Sequence, residues 1–434
     1  MQIQQFRQTV YQTMQLRGDA TMDLIDALTI TGQVPSPVSL SEAAPFRRKF
    51  SMVYDVLENG QWDLEELKEL LSACRPEGVE TIAGYPVYAL DSTENERAEA
   101  QTLPDRGILK ADQFDALRFG HKYSWLMRLV HWGTSWTAPV DVMRVETQQS
   151  ESRVGAEQVK ALAERQSEDK VITADSLYAN EKFLPVVAPL AHTYALVRMR
   201  RTNVLYERPL PPQRTQRGRK ALHGARFALN QPTRPPDCQK EAQLGNRMVH
   251  LQAWSGLHFK RFAQVEGRAL RIEFLRLDGT PCYARPVWLF WTGPQTVDLL
   301  DLCRMYLWRF AIEHTFRFLK QHLGLNANRS TNLVSTQRWM WTCALAYWQL
   351  LLLRTQADDT RPAWYPKHNG EHLRITTPYL VQQQAAILLL RLGTPARSLR
   401  PAGKGLGRPS GYHPLQKPHL PIVKKSPKAA ISSP

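Results

Sequence analysis

This chain of 434 residues has little that would build a disulfide framework or a structural metal module. Its five cysteines, Cys74, Cys238, Cys282, Cys303 and Cys343, are odd in number, and no two share the C-x-x-C spacing of a zinc site. No internal repeat is present. The first residues, Met1 to Gln5, lack the basic start and apolar run of a signal peptide. Long apolar runs are also missing. The most apolar stretch, Trp339 to Leu353, contains Thr342 and Gln349 and is flanked by Arg338 and Arg354. It is short for a membrane span and suits a buried helix. These absences lead to the expectation of a cytoplasmic protein with no membrane partner.

Acidic residues are scarce relative to basic ones. Lys and Arg total 56 against 40 Asp and Glu, a formal charge of +16. That excess favours a polyanionic partner through long-range attraction and counterion release, and nucleic acid is the first expectation. Membrane-surface and ribosome-associated proteins share the same bias. Hydrophobic content of 43% and charged content of 22% are ordinary for a globular chain, and the length allows two or three domains.

Periodicity divides the chain. Residues 1–80 read as a helical N-terminal domain, with apolar spacing in Phe6, Val10, Met14 and again in Leu24, Ile25, Leu28. Asp63 has the position of an N-cap for a helix from Leu64 to Cys74. A small bundle and a DNA-end-binding domain both fit. From Tyr85 the pattern turns to strands: Pro86 to Leu90, Tyr123 to His131 and Thr137 to Val145. A helix over Val154 to Arg165 follows, then strands over Lys170 to Ala174 and Tyr194 to Arg200. This order predicts an α/β core with a mixed sheet, its first part spanning 81–200. Residues 201–295 read as a β-rich insertion. Helical periodicity returns over Val297 to Leu323 and Ser335 to Leu353, so 296–395 is the second part of the core. Residues 396–434, basic and rich in Pro, Gly and Ser, read as a disordered tail.

The chemistry-bearing segment follows Y-x2-R-x3-E-x6-K in Tyr306, Arg309, Glu313 and Lys320. On one continuous helix these four lie within about 40° of Glu313 around the axis. A carboxylate there can hold a hard divalent cation, while Arg and Lys hold phosphates. A solvated helix with ordinary i±4 ion pairs gives the same pattern. Two aspartates, Asp91 and Asp175, each end an apolar run, where catalytic groups of α/β sheets often sit and where turns and caps also place Asp. Together the three carboxylates can hold two metal ions for in-line displacement at phosphorus. Asp141, inside the strand over Val140 to Val145, rivals Asp175; we prefer Asp175 because it follows its strand.

The order Asp, Asp, Glu with the Y-R-E-K helix resembles the DDE transposases of bacterial insertion sequences, the cut-and-paste group with that signature. The segment Phe310 to Gly324, the later Arg338 to Trp341 and Pro286 to Leu289 carry the likeness. The resemblance implies an RNase H-like catalytic core interrupted by a β-strand insertion. It also implies two Mg²⁺ (Mn²⁺ substituting) on Asp91, Asp175 and Glu313, and a homodimer on double-stranded transposon ends and target DNA. Tyr306, Arg309 and Lys320 would hold phosphates near the cut. The family takes a flipped base on a Trp of the insertion, for which Trp254, Trp288 and Trp291 are candidates. Gly407-Arg408-Pro409 could enter an A·T minor groove, but in a basic Pro/Gly tail we prefer plain phosphate attraction.

Overall fold

The apolar spacing at the start of the chain becomes α1 (Ile3–Gln12), with Phe6 and Val10 buried, and α2 (Gly18–Ile30), joined through β1 (Met14–Leu16). A 3-10 turn over Pro37–Glu42, α3 (Ser51–Asn59), β2 (Gln61–Trp62) and α4 (Leu64–Ala73) follow. Asp63 caps α4 by accepting the Glu66 amide at 3.0 Å, with Glu65 and Glu66 in the favourable first turn. The structure is a computed structural model. It describes residues 2–109, 117–209, 221–362, 364, 376–399, 407, 409–413 and 415–425.

The central sheet begins with β3 (Val87–Glu96), β4 (Gly107–Ile108), β5 (Phe119–Leu129) and β6 (Thr137–Val145). After α5 (Glu151–Arg165) come β7 (Lys170–Ala174), α6 (Leu184–Val187) and β8 (Thr193–Met199). Strands β6, β5 and β3 are antiparallel neighbours, whereas β7 and β8 run parallel to β3. The spatial order β6-β5-β3-β7-β8 is that of an RNase H-like core, within a mixed α/β fold.

The next strands are β9 (Val204–Glu207), β10 (Arg226–Ala228), β11 (Cys238–Leu244), β12 (Arg247–Phe259), β13 (Phe262–Leu275) and β14 (Val287–Trp291). The described residues of 201–295 are β-rich, yet they do not form a sheet of their own. Strand β14 pairs with β8 through Trp291↔Leu196 and Trp288↔Met199, so a single sheet of twelve strands runs through the described residues. Pairing there covers the edge that β8 would otherwise leave open.

Helices α7 (Leu299–Trp308), α8 (Ala311–Gln321), α9 (Leu333–Leu353) and α10 (Pro378–Leu392) close the chain. Alternation along the strands sorts the sheet's two faces. Val87, Ala89, Trp125 and Met127 join one core with α7, α8, α9 and the N-terminal helices. Tyr88, Leu90, Ile172 and Ala174 join the other with Val159 and Leu162 of α5 and Leu184 of α6. The apolar stretch around Trp339 is the buried axis of the first core rather than a membrane span. No helix among the described residues is long and apolar enough to cross a membrane. Its Gln349 is satisfied by Arg7 and Asp26, which fastens residues 1–80 onto the same core.

One expectation needs correction. The helix read over Val297 to Leu323 is two helices, because hydrogen bonds tighten to i→i−3 at Arg309→Tyr306, Phe310→Leu307, Ile312→Arg309 and Glu313→Phe310. In the basic tail, the described residues around Leu420 and Val423 lie along the sheet edge. Leu420 donates to Gln101, Val423 donates to Arg106, and Val423 bridges Gly107 of β4. An open two-residue edge strand supplies these main-chain partners whatever the tail's side chains are.

Candidate active site

Strand β3 does not stop at Asp91. It runs on to Glu96, and Asp91 is a mid-strand residue opposite Trp125. The apolar run that ends at Leu90 marks where the parallel neighbour β7 ends, not where β3 ends: the last parallel pair is Leu90↔Ala174. Asp91 and Asp175 are therefore the residues that follow the last pair of two adjacent strands. Asp175 leaves its strand in a turn, accepting the Leu177 amide at 2.8 Å through Oδ1. Asp91 shares its face with Trp125, Val87 and Ala89, the face covered by α7 and α8.

Position along a strand thus does not separate Asp141 from the site, but face and partner do. Asp141 pairs with Leu126, a residue of the opposite core, next to a register shift in β5–β6. Its carboxylate lies 3.5 Å from Lys68 of α4. Burial raises its pKa, opposed by Lys68.

Glu313 comes from the first turn of α8, where the helix dipole favours an acid. Arg309, at the tightened junction between α7 and α8, joins the parts. Its Nη1 donates to Asp91 Oδ2 at 2.9 Å and its Nη2 to Glu313 Oε1 at 3.3 Å. The guanidinium also lies 5.8 Å from the centre of the Tyr306 ring, a cation–π contact. Tyr306 and Arg309 are both only 9% exposed, so the guanidinium is spent on carboxylates inside the protein. Lys320 stands apart in the last turn of α8. Burial holds its ammonium below the usual range, Glu94 opposes that, and it makes no hydrogen bond or ion pair among the described residues.

The electrostatics follow from burial and crowding. Burial pushes Asp91 up to about 6; Asp175 beside it adds to the rise and Arg309 resists it. Burial alone would lower Arg309, but Asp91, Tyr306 and Glu313 hold it above its ordinary value. Tyr178 is fully buried, and its phenol is held well above the usual range by burial and then by the charges of Asp91, Glu151 and Asp175.

That last relationship exposes a fourth carboxylate, which sequence reading missed. Glu151 opens α5, accepts Lys122 Nζ at 2.7 Å and receives the Ser92 hydroxyl. The Ser92 amide in turn donates to Asp91 Oδ1 at 2.8 Å. Ser150, which caps α5, followed by an acid, was the available signal.

The three Trp candidates are core residues, each at most 2% exposed. Trp254 donates to the Arg234 carbonyl and Trp291 to that of Pro294. Arg408 lies outside the described residues.

Hard oxygen donors crowded onto one face suit a divalent cation such as Mg²⁺, and the mutual repulsion of Asp91 and Asp175 calls for positive charge. In this arrangement Arg309 supplies that charge. Among the described residues no three His, Cys, Asp or Glu side chains converge closely enough to hold an ion together. The carboxylates are of the type that holds such an ion, but in this arrangement Arg309 stands between Asp91 and Glu313.

The sequence profile of the DDE superfamily endonucleases matches residues 9–259, more than half of the chain, and the chain belongs to that family. The family consists of metal-dependent enzymes of nuclease and transposase type that act on DNA. The matched stretch contains Asp91 and Asp175 and ends before Glu313. No curated protein matches the chain in sequence.

Proposed function

We propose that this chain is a DNA transposase of the insertion-sequence type, cleaving at element ends and joining the freed end to target DNA. Asp91, Asp175 and Glu313 are its metal ligands, for two Mg²⁺ with Mn²⁺ able to substitute. It works as a homodimer on double-stranded DNA. The observation that carries this reading is the meeting of Asp91, from one strand, and Glu313, from a helix 222 residues later, on a shared arginine beside Asp175. When bound, the ions supply an acidified water and charge neutralisation at the phosphorus under attack.

The chain's own residues provide placement. Sheet register fixes the two aspartates, while the first turn of α8 presents Glu313, whose side chain is 45% exposed. Tyr306 braces Arg309 from below. Lys320, about 10 Å further along α8 from Glu313 at 1.5 Å per residue, offers its ammonium to a phosphate of the strand beyond the cut. Residues 198–226, with nine Lys or Arg and one acid, add sequence-independent attraction to the duplex.

The second reading is a transposase-derived DNA-binding protein that no longer cuts, favoured by the engagement of Arg309 within the carboxylate cluster. A plasmid carrying the gene's own flanking DNA separates the two. Wild type should excise the segment with Mg²⁺ or Mn²⁺ and Glu313→Gln should not. Equal cutting by both, or cutting without metal, removes Glu313 from the chemistry. Binding without cutting by either supports the second reading.

A further inference from the structure

We propose that Arg309 is a displaceable counter-ion, filling the carboxylate cluster of the DNA-free protein so that metal uptake waits for a DNA phosphate to draw it away. This rests on the metal triad proposed above.

The geometry supports both halves of the idea. Arg309 occupies the cluster from within: it is buried, and its two terminal nitrogens reach carboxylates of different elements at 2.9 and 3.3 Å. A cation between Asp91 and Glu313 repels a second cation and engages the oxygen atoms that the second would need. The fork is also held loosely on one side. Its bond to Glu313 is at the long end of the range, to a side chain 45% exposed, where water competes. Arg309 itself sits at the 3-10 junction between α7 and α8, where one turn can relax without melting either helix. A phosphate presents two oxygens to the same guanidinium fork that here spans two carboxylates, so Arg309 can move to it and keep both hydrogen bonds to anionic oxygen. Metal and DNA then bind with positive, reciprocal coupling. The protein without DNA carries little metal and so is guarded against indiscriminate cutting.

The test measures Mn²⁺ affinity directly on the full chain, by calorimetry or by the paramagnetic resonance of free Mn²⁺. Without DNA, Arg309→Gln should bind Mn²⁺ at least about tenfold more tightly than wild type, a typical size for coupling between sites. A merely structural role for Arg309 would lower the melting temperature and leave Mn²⁺ affinity unchanged or weaker, which overturns the proposal. A second arm uses wild type alone: a short duplex with a 5′-phosphate should tighten Mn²⁺ binding by a similar factor, and no change overturns the proposal even where the variant folds poorly. Asp91→Asn distinguishes the underlying reading. If Mn²⁺ affinity is indifferent to Asp91→Asn, the triad fails and the counter-ion role with it. If Asp91→Asn abolishes binding while Arg309→Gln has no effect, only the counter-ion role fails.

Discussion

Asp91 and Asp175 stand side by side, one residue beyond the Leu90–Ala174 pair of the parallel strands β3 and β7. One strand continues past that point and the other turns away, so the pair marks the C-terminal rim of the parallel segment. Burial raises the proton affinity of Asp91, and the charge of Asp175 beside it adds to the rise.

Cleavage should therefore have an acid limb near pH 6. Asp91 is raised to about 6 from an ordinary value of 3.8, and a proton on it competes with metal. Rates measured at fixed Mg²⁺ should fall as pH drops through 6, and a higher Mg²⁺ concentration should move the limb down. Stability has the complementary sign. The folded protein binds the proton more tightly than the unfolded chain, so in chelator, stability falls as pH rises from about 4 to about 6. Asp91→Asn should be more stable than wild type at pH 7.5, by about 1–3 kcal/mol given 1.36 kcal/mol per pKa unit. The difference should vanish near pH 4. A melting series without metal that shows no such convergence would contradict this account of Asp91.

Asp141 should be dispensable for chemistry. It faces the α5 side, opposite Asp91, and its partner Lys68 also reaches Glu65 at 3.2 Å. Neutralising it in Asp141→Asn leaves Lys68 with a carboxylate and removes a buried charge. The expected change in stability at pH 7 is between none and a gain of about 2 kcal/mol, since buried ion pairs rarely exceed their desolvation cost. Cleavage should stay within about twofold of wild type, a shift of less than half a kcal/mol in the barrier. Loss of cleavage with unchanged folding would restore Asp141 as a rival ligand.

How far the sequence could be read follows from the range of each signal. Local alternation marked β6 over Thr137–Val145 and β7 over Lys170–Ala174 at their observed bounds, and Asp63 was recognisable as a cap. The extent of β3 was not legible, because beyond Leu90 its residues are polar: Asp91, Ser92, Thr93 and Glu94 pair with β5 without an apolar pattern. The break at Arg309 was invisible, since both helices carry apolar residues at helical spacing and 3-10 tightening changes hydrogen bonding rather than composition. The union of β14 with β8 and the docking of Val423 on β4 are long-range main-chain pairings, and no residue type signals them. Glu151 was missed because a first-turn glutamate after a serine cap is usually only a helix start.

Gly155 separates packing from helix propensity. It lies inside α5, where alanine would ordinarily gain about 1 kcal/mol. A Cβ there would come within 2.7 Å of Leu90 Cδ2 and 2.8 Å of Tyr178 Cε1, and both of those side chains are fully buried. Overpacking of this kind costs about 1–3 kcal/mol, so it outweighs the propensity gain. Gly155→Ala should lower stability by about 1–2 kcal/mol in urea unfolding. Cleavage should fall as well, because the displaced Leu90 adjoins Asp91. Gly32→Ala, where nothing lies within 4 Å, is the control and should change neither.

Arg7 tests whether the N-terminal helices fold as part of the catalytic body. Its Nη2 donates to Asp26 Oδ2 at 2.8 Å and to the Gly393 carbonyl at 2.9 Å, and its Nη1 to Gln349, so α1, α2, α9 and the end of α10 meet on one side chain that is 2% exposed. Burial raises the Asp26 pKa and Arg7 opposes it. Arg7→Met strands a buried carboxylate, which costs about 3–5 kcal/mol at neutral pH. That loss should shrink as pH falls, because Asp26 then accepts a proton and no longer needs the cation. Adding Asp26→Asn should recover part of the loss at pH 7, and the double-mutant cycle gives the coupling directly. One cooperative transition, with α1 and α9 losing structure together, is expected in both variants. A separate early transition for residues 1–80 would instead mean that these helices fold as an independent unit, held to α9 by contacts weaker than the Arg7–Asp26–Gln349 network requires.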